Sequence, residues 1–124
     1  MAPRRAILLV DDDPEFCEVF KYVFAEVGFD VVSTDVRAEV VQLASTRPFA
    51  AVLFDLMLPE WGGAEEIRTL RQLFGPRTPI IAYAGYIEES GIAATRAAGV
   101  ADLFMMPDDV DFVRDLVLRH CGAG

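Results

Sequence analysis

The chain has 124 residues, the size of one ordinary domain, and 53% of them are hydrophobic, which suits a buried core and excludes a disordered segment. Asp and Glu number 20 against 11 Lys and Arg, a formal net charge of −9. That balance opposes non-specific binding to nucleic acid, which rests on basic residues neutralising phosphates, and favours cations or basic protein surfaces.

Short apolar blocks alternate with helical stretches along the whole chain. Ala6-Ile7-Leu8-Leu9-Val10 is a continuous apolar run, as expected of a strand covered on both faces. Pro14 then fits the first turn of a helix, with Asp13 as its N-cap. Phe16, Val19, Phe20, Val23, Phe24 and Val27 recur at three- and four-residue spacing and predict one apolar face, before Gly28 ends the helix. Phe29 to Ser33 reads as a second strand. A helix from about Val36 to Thr46, with Val36, Val40, Leu43 and Ala44 inward, closes at Pro48.

The third strand is Ala50-Ala51-Val52-Leu53-Phe54, with Asp55 at its end. A loop, Leu56 to Gly63, leads into a helix that turns Ala64, Ile67, Leu70 and Phe74 inward until Gly75-Pro76. Pro79 to Tyr83 is the fourth strand, and Glu88 to Ala97 a helix ended by Gly99. Leu103 to Met106 is the fifth strand, stopped by Pro107. The last helix, Asp109 to Arg119, has Val110, Val113, Leu116 and Val117 inward.

Five successive βα units predict an α/β fold: a parallel sheet with helices on both faces, in the flavodoxin-like strand order 2-1-3-4-5, within a single domain over residues 1–124. In such sheets the functional crevice lies outside the carboxyl ends of the strands. In that order the first and third strands are neighbours, so Asp11, Asp12 and Asp55 meet at one edge. Converging carboxylates repel, and so either raise a pKa or recruit a cation; all-oxygen ligands suit Mg²⁺. The simpler role for Asp11 to Asp13 is to cap the helix in solvent. Asp55, directly after an apolar strand at the same crevice, favours a shared site.

Ile7-Leu8-Leu9-Val10-Asp11-Asp12-Asp13-Pro14 resembles the opening of bacterial response-regulator receiver domains. Val52-Leu53-Phe54-Asp55-Leu56-Met57-Leu58-Pro59, with Gly63 four residues on, is similar to their phosphorylation segment. Pro79-Ile80-Ile81-Ala82 and Ala98-Gly99-Val100-Ala101-Asp102 are similar to their fourth strand and the approach to their fifth. The resemblance implies that Asp55 is a phosphoryl acceptor. It implies that Asp12 and Asp55 bind Mg²⁺ through their side chains, Asp11 mainly through water, and Met57 through its backbone carbonyl. It implies a signalling partner: a histidine kinase, a phosphotransferase or a downstream effector.

Three positions depart from that pattern. The family's Thr or Ser after the fourth strand is Ala84, which has no hydroxyl to bond a phosphoryl oxygen. Its Lys before the proline that follows the fifth strand is Met106, and the only lysine of the chain is Lys21, in the first helix. Its switch aromatic is Leu103; Phe104, one residue on, should face the other side of the strand. The expected function is therefore an atypical, stand-alone receiver with impaired or altered phospho-switching and output by protein contact, through the face of the fourth helix, fifth strand and fifth helix. The alternative is a pseudo-receiver, a binding module independent of phosphorylation. Enzymatic activity extends at most to self-phosphorylation and dephosphorylation at Asp55.

Other classes fit less well. A flavin or nucleotide module needs a Gly-, Ser- or Thr-rich phosphate loop where this chain has Asp11-Asp12-Asp13-Pro14. A haloacid-dehalogenase-like, Mg²⁺-dependent phosphatase shares the Asp11-x-Asp13 spacing, but needs a longer chain. Cys17 and Cys121 form neither a disulfide framework nor a zinc spacing, and no apolar run has the length of a signal core or membrane span, so a cytoplasmic protein with free thiols is expected. Trp61, Tyr83 and Tyr86 fall near the crevice; packing is the simpler role and partner contact the alternative. His120 reads as a surface residue at a helix end.

Overall fold

The structure is a computed structural model that describes residues 4–106 and 109–122. Pro107, expected to stop the fifth strand, lies outside the described residues. Five strands and five helices alternate: β1 (Arg5–Val10), α1 (Pro14–Ala25), β2 (Phe29–Thr34), α2 (Arg37–Thr46), β3 (Ala51–Asp55), α3 (Ala64–Phe74), β4 (Ile80–Ala84), α4 (Glu89–Ala97), β5 (Asp102–Met105) and α5 (Val110–Cys121). All strand pairs are parallel, in the order β2-β1-β3-β4-β5. Among the described residues, no helix is long and apolar enough to cross a membrane.

Side chains alternate across each strand, so the continuous apolar runs supply two cores. On one face, Ile7, Leu9, Leu53, Ile81, Tyr83 and Phe104 pack beneath Phe20 and Phe24 of α1 and Val113, Leu116 and Val117 of α5. On the other, Leu8, Val10, Val52, Phe54, Ile80 and Ala82 pack beneath Val40 of α2 and Ile67 and Leu70 of α3. An aromatic ladder ties α1 to the sheet: Phe16 meets Phe20 edge-on at 4.5 Å, Phe20 stacks on Phe24 at 5.4 Å, and Phe24 meets Phe29 at 6.3 Å.

The predicted elements appear within a residue or two of their expected ends, which are the least well defined part of any helix. Asp13 caps α1, accepting from the backbone N–H of Glu15 and Phe16. Two inward assignments fail. Val19 and Val36 are both about half exposed, at 46% and 48%. Cys17 takes the buried place on α1 instead of Val19, and Val36 is the extended N-cap before α2 rather than part of its face.

At the carboxyl end of α5, His120 Nε2 lies 2.9 Å from Asp102 Oδ2, and both side chains are about a quarter exposed. Burial alone would lift the Asp102 carboxyl; hydrogen bonds from His120 and from the Leu103 N–H outweigh it and hold the group below the usual carboxylate range. A carboxyl depressed on folding stabilises the fold above its unfolded pKa and loses that contribution as pH falls through the folded value. His120→Ala should therefore cost about 0.5–1 kcal/mol at neutral pH. The difference from wild type should shrink as pH falls through and below the ordinary aspartate range, as read by urea denaturation at neutral and at acid pH.

Candidate functional site

Parallel pairing sets Val10 opposite Phe54 and Asp55 opposite Tyr83. The register brings the ends of β1, β3 and β4 to one edge of the sheet, where the chain turns into acidic loops. Carboxylate oxygens of Asp11, Asp12 and Asp55 lie within 4.8 Å of one another there. Asp11 is buried, Asp55 half-buried and Asp12 exposed. They border an open cleft of about 440 Å³ that Met57, Tyr83, Ala84 and Met106 also line.

The carboxylates are anchored by backbone. The Asp13 N–H donates to Asp11 Oδ1 at 2.8 Å, and the Met57 N–H donates to Asp55 Oδ1 at 2.8 Å. Desolvation, followed by the charges of neighbouring aspartates, pushes the carboxyls of both Asp11 and Asp55 above their ordinary range. For Asp11, the hydrogen bonds it accepts offset part of that rise. Carboxylates crowded in this way repel one another.

An octahedral Mg²⁺ at about 2.1 Å from its ligands spans no more than about 4.2 Å between opposite oxygens. The observed spread needs only a small closure, and three carboxylates are the hard oxygen donors that such an ion takes. The donor set therefore fits a divalent cation.

Ala84 and Met106 stand beside each other across the edge, with the Met106 N–H donating to the Ala84 carbonyl at 2.7 Å. Ala84 is buried and Met106 half-buried. Neither side chain offers a hydrogen-bond donor. Leu103 packs towards the α3 side of the sheet and Phe104 towards the α1 side, as the strand alternation predicts.

Tyr83 is a finding that the sequence did not announce. It is 2% exposed, and its hydroxyl donates a hydrogen bond to Asp11 Oδ2. Trp61 packs on Phe54 with ring centroids 5.4 Å apart, and its indole N–H donates to the Asp35 carbonyl at 3.3 Å. Tyr86 is 71% exposed.

The loop after β3 is strapped to α2. Arg37 pairs with the buried Glu66 at 2.6 Å, donates to the Glu60 carbonyl at 3.2 Å, and lies over the Trp61 ring at 4.6 Å. Glu66 also accepts from the Gly62 N–H at 3.2 Å. This holds a loop in which Glu60 adopts a positive φ of 67°, a conformation costly for a residue with a Cβ.

A sequence model of the response regulator receiver domain matches residues 7–116. The cell cycle transcriptional regulator CtrA of Caulobacter vibrioides is 32% identical over 101 residues, covering 82% of this chain and 43% of that protein. Among solved structures, the receiver domain of the sensor histidine kinase PA1611 from Pseudomonas aeruginosa, with a magnesium ion coordinated in its active site cleft, is 26% identical. Its TM-score is 0.81, with 97% of this chain and 99% of that one covered. A response regulator from Thermotoga maritima shares the fold with a TM-score of 0.85 at 20% identity, covering 96% of this chain and 98% of that one. The chain belongs to the response regulator receiver domain family of two-component signalling, and it spans less than half the length of CtrA.

Asp55→Asn removes one of the crowded charges, while the amide oxygen still accepts from Met57. With part of the repulsion already screened by solvent, the variant should stabilise the fold by about 1 kcal/mol in the presence of a chelator, raising the thermal midpoint by roughly 4 °C or more. A lower midpoint would mean that the carboxylates do not repel as described.

Proposed function

Proceeding from that membership, we propose that the chain is an atypical receiver in which Asp55 accepts a phosphoryl group in the presence of Mg²⁺ but acceptance is slow and poorly coupled to the family's usual switch. The convergence of Asp11, Asp12 and Asp55 at one sheet edge carries this reading. Asp12 and Asp55 would bind the ion through their side chains, Asp11 largely through water, and Met57 through its carbonyl. The ion supplies positive charge that screens the aspartates from an incoming phosphoryl group.

The protein's own part is nucleophilic attack. A carboxylate oxygen of Asp55 attacks phosphorus, the bond from phosphorus to the donor's nitrogen or oxygen breaks, and the leaving group carries away the electron pair. The Met57 N–H holds Asp55 in place for this. Ala84 and Met106 contribute no donor to the transferred oxygens, so developing charge there goes without the usual hydroxyl and ammonium. Leu103 in place of the switch aromatic removes the ring that would follow such a hydroxyl.

Output runs through protein contact with a histidine kinase, a phosphotransferase or an effector. Met105 and Phe112 leave apolar surface on β5 and α5, at 41% and 49% exposure, and so favour that side as the contact face. The second reading, a pseudo-receiver that binds its partner without phosphorylation, draws on the same two donorless positions.

Incubation with acetyl phosphate and Mg²⁺, followed by intact-mass measurement, separates the two. A phosphoryl adduct lost in Asp55→Asn supports the receiver. No adduct, together with partner binding that is unaltered in Asp55→Asn, supports the binding module.

Met106→Lys restores a charge-assisted donor and should raise the initial rate of adduct formation by roughly tenfold or more. An unchanged rate would show that the missing ammonium is not what slows this site.

A further inference from the structure

We propose that Tyr83 is a positioning residue of the acidic cleft, its hydroxyl serving as the fixed donor that orients Asp11 for a divalent cation in a pocket that has lost its ammonium. This role rests on the Mg²⁺ reading given above and extends it to a residue outside the carboxylate set.

Three observations converge on the phenol. The first is its aim. Tyr83 pairs with Asp55 in β3 and with Phe104 in β5, and its hydroxyl reaches Asp11 beyond the end of β1. One side chain thus spans the two strands that bring the acids together.

The second is its rigidity. The ring stacks on Phe104 with centroids 5.1 Å apart and meets Phe16 at 5.5 Å. Phe104 belongs to the core and Phe16 packs against it, so the hydroxyl is directed without ordering a flexible side chain at the moment of binding.

The third is its singularity. Among the described residues lining the cleft, Tyr83 alone carries a side-chain O–H or N–H at neutral pH; the others are aspartates, Phe16, Met57, Ala84, Gly85 and Met106. An ordinary phenol is protonated at neutral pH, so the hydroxyl is available as a donor.

With the Asp13 N–H on Oδ1 and the Tyr83 hydroxyl on Oδ2, both oxygens of Asp11 are held from within the chain. Each oxygen keeps a lone pair for water or an ion. A phenol differs from an ammonium in one decisive way: it orients the carboxylate without cancelling its charge. The pocket therefore gains no positive charge from its donor, which favours a divalent cation over a phosphoryl anion.

Tyr83→Phe preserves the stacked ring and deletes only the donor. Titration calorimetry with Mg²⁺ should show an affinity roughly three- to tenfold below wild type. A change in the tyrosine absorption band on adding saturating Mg²⁺ should appear in wild type and vanish in the variant, a signature that a purely packing tyrosine would not give. Affinity in Tyr83→Phe that matches or exceeds wild type overturns the role and leaves the metal site standing. A wild-type chain that binds Mg²⁺ without any tyrosine difference band also overturns it, and that measurement decides the matter alone should the variant not fold. A wild-type chain that takes up no Mg²⁺ at millimolar concentration removes the metal reading itself, and this role with it.

Discussion

The adjacency of β1 and β3 governs everything at this site. Their parallel register sets Val10 against Phe54, so the residues that follow, Asp11 and Asp55, leave the sheet side by side although 44 positions separate them in the chain. The cores on either face, the aromatic ladder of α1 and the capping of that helix by Asp13 all hold this adjacency against the mutual repulsion of the acids. Burial of hydrocarbon is thus set against crowding of charge. The conflict falls at the end of the sheet where the family places its chemistry, and local conflict of that kind is expected where function overrides folding.

The departures at the cleft are chemically coherent. Replacing a hydroxyl by a methyl and an ammonium by a thioether removes donors from the side on which a phosphoryl group would sit. The acids remain, and so does a donor facing Asp11. On the proposed reading, the balance of the pocket shifts from cradling an anion towards holding a cation. The response regulator from Thermotoga maritima shares this fold at only 20% identity, so the frame tolerates wide change in the side chains it carries.

Much of this was legible in the sequence because burial on both faces of a parallel sheet leaves plain marks. The run Ala6 to Val10 and the run Ala51 to Phe54 could only be interior strands, and the alternation of such runs with helices limited the topology to few choices. The place of Met106 and Ala84 at the cleft followed from their spacing to flanking motifs. Val19 and Val36 misled because helical spacing alone does not say where on the apolar arc the core ends, and Cys17 competed for the same place. Glu66 gave no signal: a glutamate at the start of a helix reads as solvent-facing, and only the approach of Arg37 and the Gly62 N–H makes its burial tolerable. Tyr83 was hidden for a related reason. A tyrosine within an apolar strand looks like packing, and nothing in linear spacing says that its far end reaches a carboxylate 72 residues away.

The Arg37 strap makes the loop after β3 answer to α2 as well as to the cleft. Trp61 is the only indole of the chain and sits within that strap, under a guanidinium and against Phe54. The protein therefore carries a built-in optical probe in a segment that links Asp55 to the second helix. Emission from that ring follows the closeness of a cation and the polarity around it. Loosening of the loop can thus be watched in real time in the unlabelled chain, with no second tryptophan to blur the record.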